Sequence, residues 1–149
     1  MKMTIDKIGK EYFSKKESDI IDFKWNMQKQ ELKITIATWE NEEKEIGIEY
    51  EFNGFNGFRF LDEGDYLGYW ELSDFKNGFH LFRLIEGGWK TGEVTQSGIL
   101  DVSRAVDQLN EFFIATSNGC LTILAYEKPT ITEIELKNEL NPLPTGVVE

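Results

Sequence analysis

Two residues of this chain could form a nucleophile and its general base: Cys120, the single cysteine, and His80, the single histidine. Such a pair needs only to meet in the fold, so their separation in sequence does not exclude it. Both residues, however, lie in apolar stretches that predict strands, where a thiol behaves as a small hydrophobic side chain. One histidine and one cysteine also exclude most zinc sites. The sequence therefore predicts no catalytic residue.

The other residue patterns that bind ions or phosphates are incomplete. The segment GWKT at residues 88–91 lacks the glycine that precedes lysine in a phosphate-binding loop. Asp62, Glu63 and Asp65 could hold a calcium ion, but the alternating oxygen donors and terminal glutamate of an EF-hand are missing. Acidic residues are so numerous that no single pair stands out as a hydrolytic pair. We expect no metal ion, no cofactor and no enzymatic activity.

The acidic residues themselves are the clearest feature of the sequence. The net charge is −11, and residues 40–75 account for −9 of it, with eleven acidic against two basic side chains. Such a field repels nucleic acid and anionic lipid, and it speeds association with a basic protein in a salt-dependent way. A plainer interpretation is that the acids keep a small domain soluble. The charge predicts a protein partner and neither nucleic acid nor membrane.

Acidic and large aromatic side chains mingle in residues 58–72. In one interpretation the rings belong to the core and the carboxylates to the solvent. In the other they form an interface, because tyrosine and tryptophan bury large areas at low entropic cost and carboxylates pair with basic groups. Acids placed in the phosphate site of a basic nuclease would mimic its substrate. The interface interpretation predicts a partner-binding site of seven residues: Asp62, Glu63, Asp65, Tyr66, Tyr69, Trp70 and Glu71.

An antiparallel sheet is predicted to position these residues, because apolar and polar side chains alternate through residues 19–60. In residues 45–52 the apolar side chains fall on one face and the glutamates on the other, which is typical of a strand with one wet face. Strands are also predicted at residues 20–25 and 32–39. Three Asn-Gly-Phe segments, beginning at Asn53, Asn56 and Asn77, predict turns.

The second half of the chain adds a central strand, a helix and a hairpin. The apolar run at residues 79–85 predicts a strand covered on both faces. Apolar residues at helical spacing predict a helix over residues 102–113, with Asp101 or Ser103 as its N-cap. A hairpin with Asn118-Gly119 at its apex is predicted for residues 112–126. Shorter helices are predicted at residues 4–13 and 65–70, and a loose C-terminal tail at residues 138–149.

These elements predict one domain over residues 1–149 with an α+β fold: a predominantly antiparallel β-sheet of meander and hairpins with one to three short helices. Charges interrupt the N-terminal segment, which leaves no apolar stretch for a signal peptide or a membrane span. A single cysteine cannot form an internal disulfide, which fits a reducing compartment. We expect a cytoplasmic protein.

Three segments resemble the immunity proteins of bacterial polymorphic or contact-dependent growth inhibition toxin systems: FRFLDEGD at residues 58–65, GGW at 87–89 and FFIATSNGCLTILAYEKP at 112–129. The resemblance spans about half the chain and lies in strands and turns. It implies a non-catalytic protein that binds and neutralises one cognate toxin domain, often a nuclease. Members of such families block the active site or cover an exosite, so the resemblance assigns no binding residue.

Two other functions stay open at this stage. A structural or adaptor module of a larger assembly would use an exposed strand edge. A hydrolase would use a pair of acidic residues, and a single carboxylate substitution would abolish its turnover without loss of fold. The sequence does not indicate the toxin's activity or the oligomeric state of this protein.

Overall fold

The chain folds into two antiparallel β-sheets that face each other. The computed structural model describes residues 2–106 and 108–136, apart from the side chains of residues 14–16. The strands are β1 Thr4–Ile8, β2 Ser14–Asn26, β3 Glu31–Trp39, β4 Glu45–Asn53, β5 Phe55–Leu61, β6 Leu81–Glu86, β7 Asn110–Ala115, β8 Cys120–Ala125 and β9 Thr130–Ile134. They form one sheet of order β1-β6-β7-β8-β5 and another of order β2-β3-β4-β9. The predicted α+β fold of mainly antiparallel sheet is confirmed.

The alternation of apolar and polar residues in the first half of the chain buries one face of the sheet, as predicted. In β3 and β4, Ile34 pairs with Tyr50 and Leu32 with Phe52, and all four side chains are buried. The opposite face carries Lys33 and the β4 glutamates toward solvent. The four-stranded sheet therefore has one apolar face for the core between the sheets and one charged, wet face.

The five-stranded sheet is covered on both faces. On β7, Phe112 points into the core between the sheets, where its ring centroid lies 5.4 Å from that of Phe52. Its neighbour Phe113 points the other way, into a second apolar cluster. β6 lies between β1 and β7, so the central strand predicted at residues 79–85 is confirmed with slightly later bounds.

A helical segment covers this outer face, and we refer to residues 62–76 as the cap. It consists of a 3₁₀ turn at Glu63–Tyr66, helix α1 at Leu67–Trp70 and a second 3₁₀ turn at Ser73–Phe75. The helix predicted at residues 65–70 is confirmed, although its first turn is 3₁₀. The molecule thus has three layers: the four-stranded sheet with its charged outer face, the five-stranded sheet and the cap.

The predicted helix over residues 102–113 is wrong beyond its first turn. Helix α2 spans only Asp101–Ala105, and Phe113 lies in strand β7. The i, i+7 and i+11 spacing was misleading because β7 is buried on both faces, so its residues from Phe112 to Ala115 are all apolar and match any period. The N-cap is Leu100, in the left-handed region at φ 58°, while the Asp101 carboxylate accepts the Gly98 N–H instead.

Two further predictions need correction. Residues 4–8 form strand β1, which pairs with β6, so there is no helix at residues 4–13. Asn56-Gly57 lies inside β5, where the register shifts between Phe55 and Gly57, and not in a turn. Asn53-Gly54 does form a turn, with Gly54 at φ 79°. The tail predicted at residues 138–149 lies outside the described residues.

The two sides of the sandwich differ. On one side, the segment that follows β1 closes onto β9: the Tyr12 hydroxyl donates to Glu133 at 2.6 Å, and Lys10 lies 3.5 Å from the same carboxylate. On the other side, edge strands β2 and β5 flank a groove. On one side, side chains of the segment after β1 therefore bridge to β9, and on the other side an apolar groove separates the two sheet edges.

Candidate protein-interaction surface

The structure divides the seven predicted partner-binding residues into a buried and an exposed group. The side chains of Tyr66 and Tyr69 are only 2% and 3% exposed. They hold the cap on Phe113, whose ring centroid lies 5.0 Å from each of theirs. Trp70 is half-buried and donates its indole N–H to the Glu63 carbonyl at 2.7 Å. The predicted site must therefore be restated without the two tyrosines, because neither ring reaches the surface.

The carboxylates of the cap do lie at the surface. Asp62, Asp65 and Glu71 are exposed, Asp74 is exposed beside them, and Glu63 is partly buried. None of these five forms an ion pair with any residue that the structure describes. The most exposed apolar residue of the cap is Leu67, at 67%, which the sequence did not single out. The outer surface of the cap is thus acidic, with one aliphatic side chain among the charges.

A hydrogen-bonded network fastens the cap to the sheet. Arg59 on β5 makes a two-pronged ion pair with Glu93, with N–O distances of 3.1 and 3.0 Å. The Tyr69 hydroxyl donates to the same carboxylate, and Arg59 Nε donates to the Tyr66 hydroxyl at 3.2 Å. The guanidinium also lies over the ring of Trp89, 5.0 Å from its centroid. These hydrogen bonds and the ion pair therefore hold the acidic cap against the sheet in a defined geometry.

The network shifts the titration of its members. Burial raises the pKa of Glu93, but hydrogen bonds from Arg59 and Tyr69 outweigh burial and hold that pKa below its ordinary value of 4.5. Burial, and then the hydrogen bond to Glu93, raise the pKa of Tyr69 far above the range of physiological pH. At neutral pH the network is therefore an ionised carboxylate held by a guanidinium and a neutral phenol.

We expect Glu93→Gln to unfold more easily at pH 7 than the parent protein, by about 1–2 kcal/mol, because a charge-assisted interaction is lost. A carboxylate with a lowered folded-state pKa stabilises the fold above its unfolded-state pKa, and this contribution disappears as the pH falls through the folded-state pKa. The difference between the two proteins should therefore shrink below about pH 4.5. Urea unfolding at several pH values measures it, with Glu42→Gln as the control. A difference that is independent of pH would contradict this role.

The pKa of Glu111 is raised and the pKa of Glu93 is lowered, which is the pattern of a catalytic acid and base. Burial raises the pKa of Glu111, despite the two backbone N–H groups that it accepts. Those donors are Trp89 at 2.7 Å and Lys90 at 2.8 Å, one to each carboxylate oxygen, and the side chain is fully buried. Glu111 thereby fixes the π-helical turn Trp89–Glu93, which carries Glu93. The arrangement supports a structural role.

His80 and Cys120 occupy the interior. The imidazole Nδ1 lies 3.0 Å from the Ala115 carbonyl, which can only accept, and Nε2 lies 2.9 Å from the Thr38 hydroxyl. A neutral ring with its proton on Nδ1 satisfies both contacts. Cys120 is fully buried in the cluster beneath the cap. Neither residue is open to a substrate in this structure.

Cation binding has no visible support at the acidic stretch. Asp62 acts as an N-cap, because its carboxylate accepts the Gly64 N–H at 3.0 Å. Across residues 2–106 and 108–136, no group of three or more acidic, histidine or cysteine side chains is arranged to hold a metal ion. The carboxylates of the cap point outward instead of converging on one point.

The groove between β2 and β5 is a second candidate surface, and sequence reasoning missed it. Ile21, Trp25 and Phe60 are 51%, 53% and 54% exposed, although they flank the core between the sheets. Phe23 and Phe58 form the half-buried floor, with centroids 5.0 Å apart. A signal was present, because residues 20–25 and 58–60 are rich in large apolar side chains. Which of them stay uncovered depends on the sheet order, which the sequence does not give.

The chain matches no protein-family model, no curated protein and no solved structure. The relation to immunity proteins therefore stays a prediction. Among the described residues no helix has the length and apolar character needed to cross a membrane.

Proposed function

We propose that this protein is a non-catalytic, cytoplasmic immunity protein that binds a basic toxin domain, a nuclease, and neutralises it through the acidic cap. The observation that carries the proposal is the set of exposed carboxylates on the cap without ion-pair partners in the described chain. Carboxylates held in this way are available to the lysines and arginines of a partner. The resemblance of three segments to immunity proteins supports the same function.

The rigidity of the cap supports this choice over a merely solubilising role. Charges that only keep a protein soluble need no fixed support, whereas the cap rests on buried rings and on the Arg59–Glu93 ion pair. Carboxylates carried on a backbone that is already ordered require less loss of conformational entropy when they bind than carboxylates on a mobile segment. Leu67, which is exposed on the same segment, would add an apolar contact to the charged surface.

Neutralisation would proceed by occlusion. A nuclease site is lined by basic groups that hold phosphates, and carboxylates presented on a rigid surface compete for those groups. The complementary charges speed association at low ionic strength, while apolar contacts slow dissociation. No bond is made or broken in this mechanism, and no residue of this chain acts as a catalyst.

Co-expression tests the proposal. The product of the neighbouring gene is expressed in a host cell alone and together with this protein. We expect growth arrest in the first case and growth in the second, with a stoichiometric complex that weakens as salt is raised. A neighbouring product that is harmless by itself, or toxicity that this protein does not relieve, would contradict the immunity function.

An adaptor module is the second candidate, because the β2–β5 groove exposes large apolar side chains beside two strand edges. Binding through such a surface depends on apolar contact and changes little with salt. The salt dependence of complex formation therefore separates the two functions.

A further inference from the structure

The β2–β5 groove has the composition of a binding surface. It encloses about 560 Å³ and is lined by apolar residues apart from Asp22. Apolar surface that stays exposed beside the core marks sites of interaction in soluble proteins. The rings of Trp25 and Phe58 lie 5.6 Å apart and contact each other, so no gap is left between them for a cation. The floor of the groove therefore suits aliphatic or aromatic side chains.

Both walls of the groove are sheet edges. β2 and β5 are each the last strand of their sheet, and no backbone hydrogen bond joins them in the described chain. The β7–β8 turn occupies only one end of the β2 edge: Ser117 N–H donates to the Ser18 carbonyl at 2.9 Å, and Asn118 accepts the Ile20 N–H at 2.8 Å. Beyond Ile20 the edge is open, so its backbone groups can pair with an added strand.

Open edges are usually protected, and the two sides of this sandwich differ in what lies at their edges. Charges, bulges or covering chain prevent unwanted strand pairing in most proteins. On the β1–β9 side, Lys10 and Tyr12 of the segment after β1 contact Glu133 on β9. The β2 edge has a bulge near Ile20, yet its exposed face still presents Trp25. A large aromatic side chain that stays exposed at an open edge is available to a partner.

Charge indicates what the partner segment carries. Phe60 lines the groove and precedes the exposed cap residue Asp62 by two positions, which is about 7 Å along an extended chain. The groove is therefore continuous with the acidic cap. A segment that fills it meets apolar surface along its length and carboxylates at one end.

We propose that the groove binds an extended segment of the partner protein, in which alternate side chains are apolar and a lysine or arginine lies at the end that meets Asp62. The backbone of the segment pairs with the open β2 or β5 edge, and its apolar side chains cover Trp25 and Phe60. The basic residue in this proposal rests on the proposed function, which assigns the cap to a basic partner. The apolar part rests on the groove alone.

Phage-displayed random heptapeptides, panned against the full chain, test the proposal. We expect enriched peptides with alternating apolar residues and a basic residue near one end. Their synthetic forms should lose at least about tenfold in affinity for Trp25→Ser and for Phe60→Ser, since central apolar contacts dominate such interfaces. Val102→Ser, an exposed apolar residue outside the groove, is the matched control and should bind normally.

Amide hydrogen exchange of the unmodified protein gives a second measurement that does not depend on the folding of a variant. Bound peptide should protect amides of β2 beyond Ile20 or of β5. Peptides that bind both variants normally, or that protect other segments, would overturn the proposal. So would a dimer in sedimentation that Trp25→Ser dissociates, because the occupant would then be a second copy of this chain.

The panning uses no toxin, so the two proposals fail separately. Groove-specific peptides together with a failed neutralisation assay would contradict the immunity function alone. Neutralisation that is retained by Trp25→Ser and Phe60→Ser, with no groove-specific peptide, would contradict the groove alone.

Discussion

Phe113→Ala should lower the free energy of unfolding by about 3–5 kcal/mol and release the cap from the sheet. Phe113 is fully buried, and its ring is the common neighbour of Tyr66, Tyr69 and Phe75, with centroid distances of 5.0, 5.0 and 5.5 Å. Alanine leaves a cavity between two layers that this ring joins. Since domains are stable by only about 5–15 kcal/mol, the loss is a large fraction of the total. Urea unfolding followed by circular dichroism measures it.

Phe112→Ala is the matched control, because the adjacent ring points into the opposite core. It should cost a similar free energy but leave the cap in place. Amide exchange then separates the two variants: Phe113→Ala should expose amides of residues 62–76 well before global unfolding, and Phe112→Ala should not. Equal protection of the cap in both would contradict the three-layer arrangement, as would a cost for Phe113→Ala under about 1 kcal/mol.

Asp65→Lys/Glu71→Lys should weaken binding to the cognate toxin by about 100-fold or more, mainly through slower association at low salt. Both carboxylates are exposed and outside the network that fastens the cap, so the fold should persist. We leave Asp62 and Glu63 out of the first variant. The Asp62 carboxylate caps the first 3₁₀ turn. Glu63 is half-buried, and its backbone carbonyl accepts the indole N–H of Trp70. Association rates measured over a range of salt concentrations test the prediction.

Glu42→Lys/Glu43→Lys controls for net charge. Both glutamates are exposed in the β3–β4 loop, and each double variant has a net charge of −7 in place of −11. The loop variant should lose far less affinity than the cap variant if the partner contacts the cap. Equal losses would mean that only the overall charge matters, and unchanged affinity in both would remove the cap from the interface.

The strands were largely predictable from sequence because their signal is local. Period-two alternation in residues 45–52 fixes which side chains of β4 are buried, whatever the sheet packs against. The β7–β8 hairpin was predictable because polar residues 116–119 separate two apolar runs, although neither Asn118 nor Gly119 takes the positive φ of a tight Asn-Gly turn. The end of the helix predicted at residues 102–113 was not predictable, because Phe112 to Ala115 form a continuous apolar run that local periodicity cannot distinguish from a buried helix.

The candidate surfaces show the same division. The acidic residues of the cap are visible in the sequence, because charge is a property of composition and carboxylates are placed at the surface by their hydration. Which aromatic residues join them is not visible. Tyr66, Tyr69 and Trp25 are alike in chemistry, yet packing on Phe113 buries the tyrosines and an unpaired sheet edge exposes the tryptophan.

The sequence by itself thus determined the sheet-rich fold, the solvent faces of the first strands and the acidic character of residues 40–75. Only the tertiary structure decided that the tyrosines are core and that Leu67, Trp25 and Phe60 are surface. The physical reason is that the burial of an apolar side chain depends on what covers it. That cover comes from strands distant in sequence, whose order no local pattern encodes.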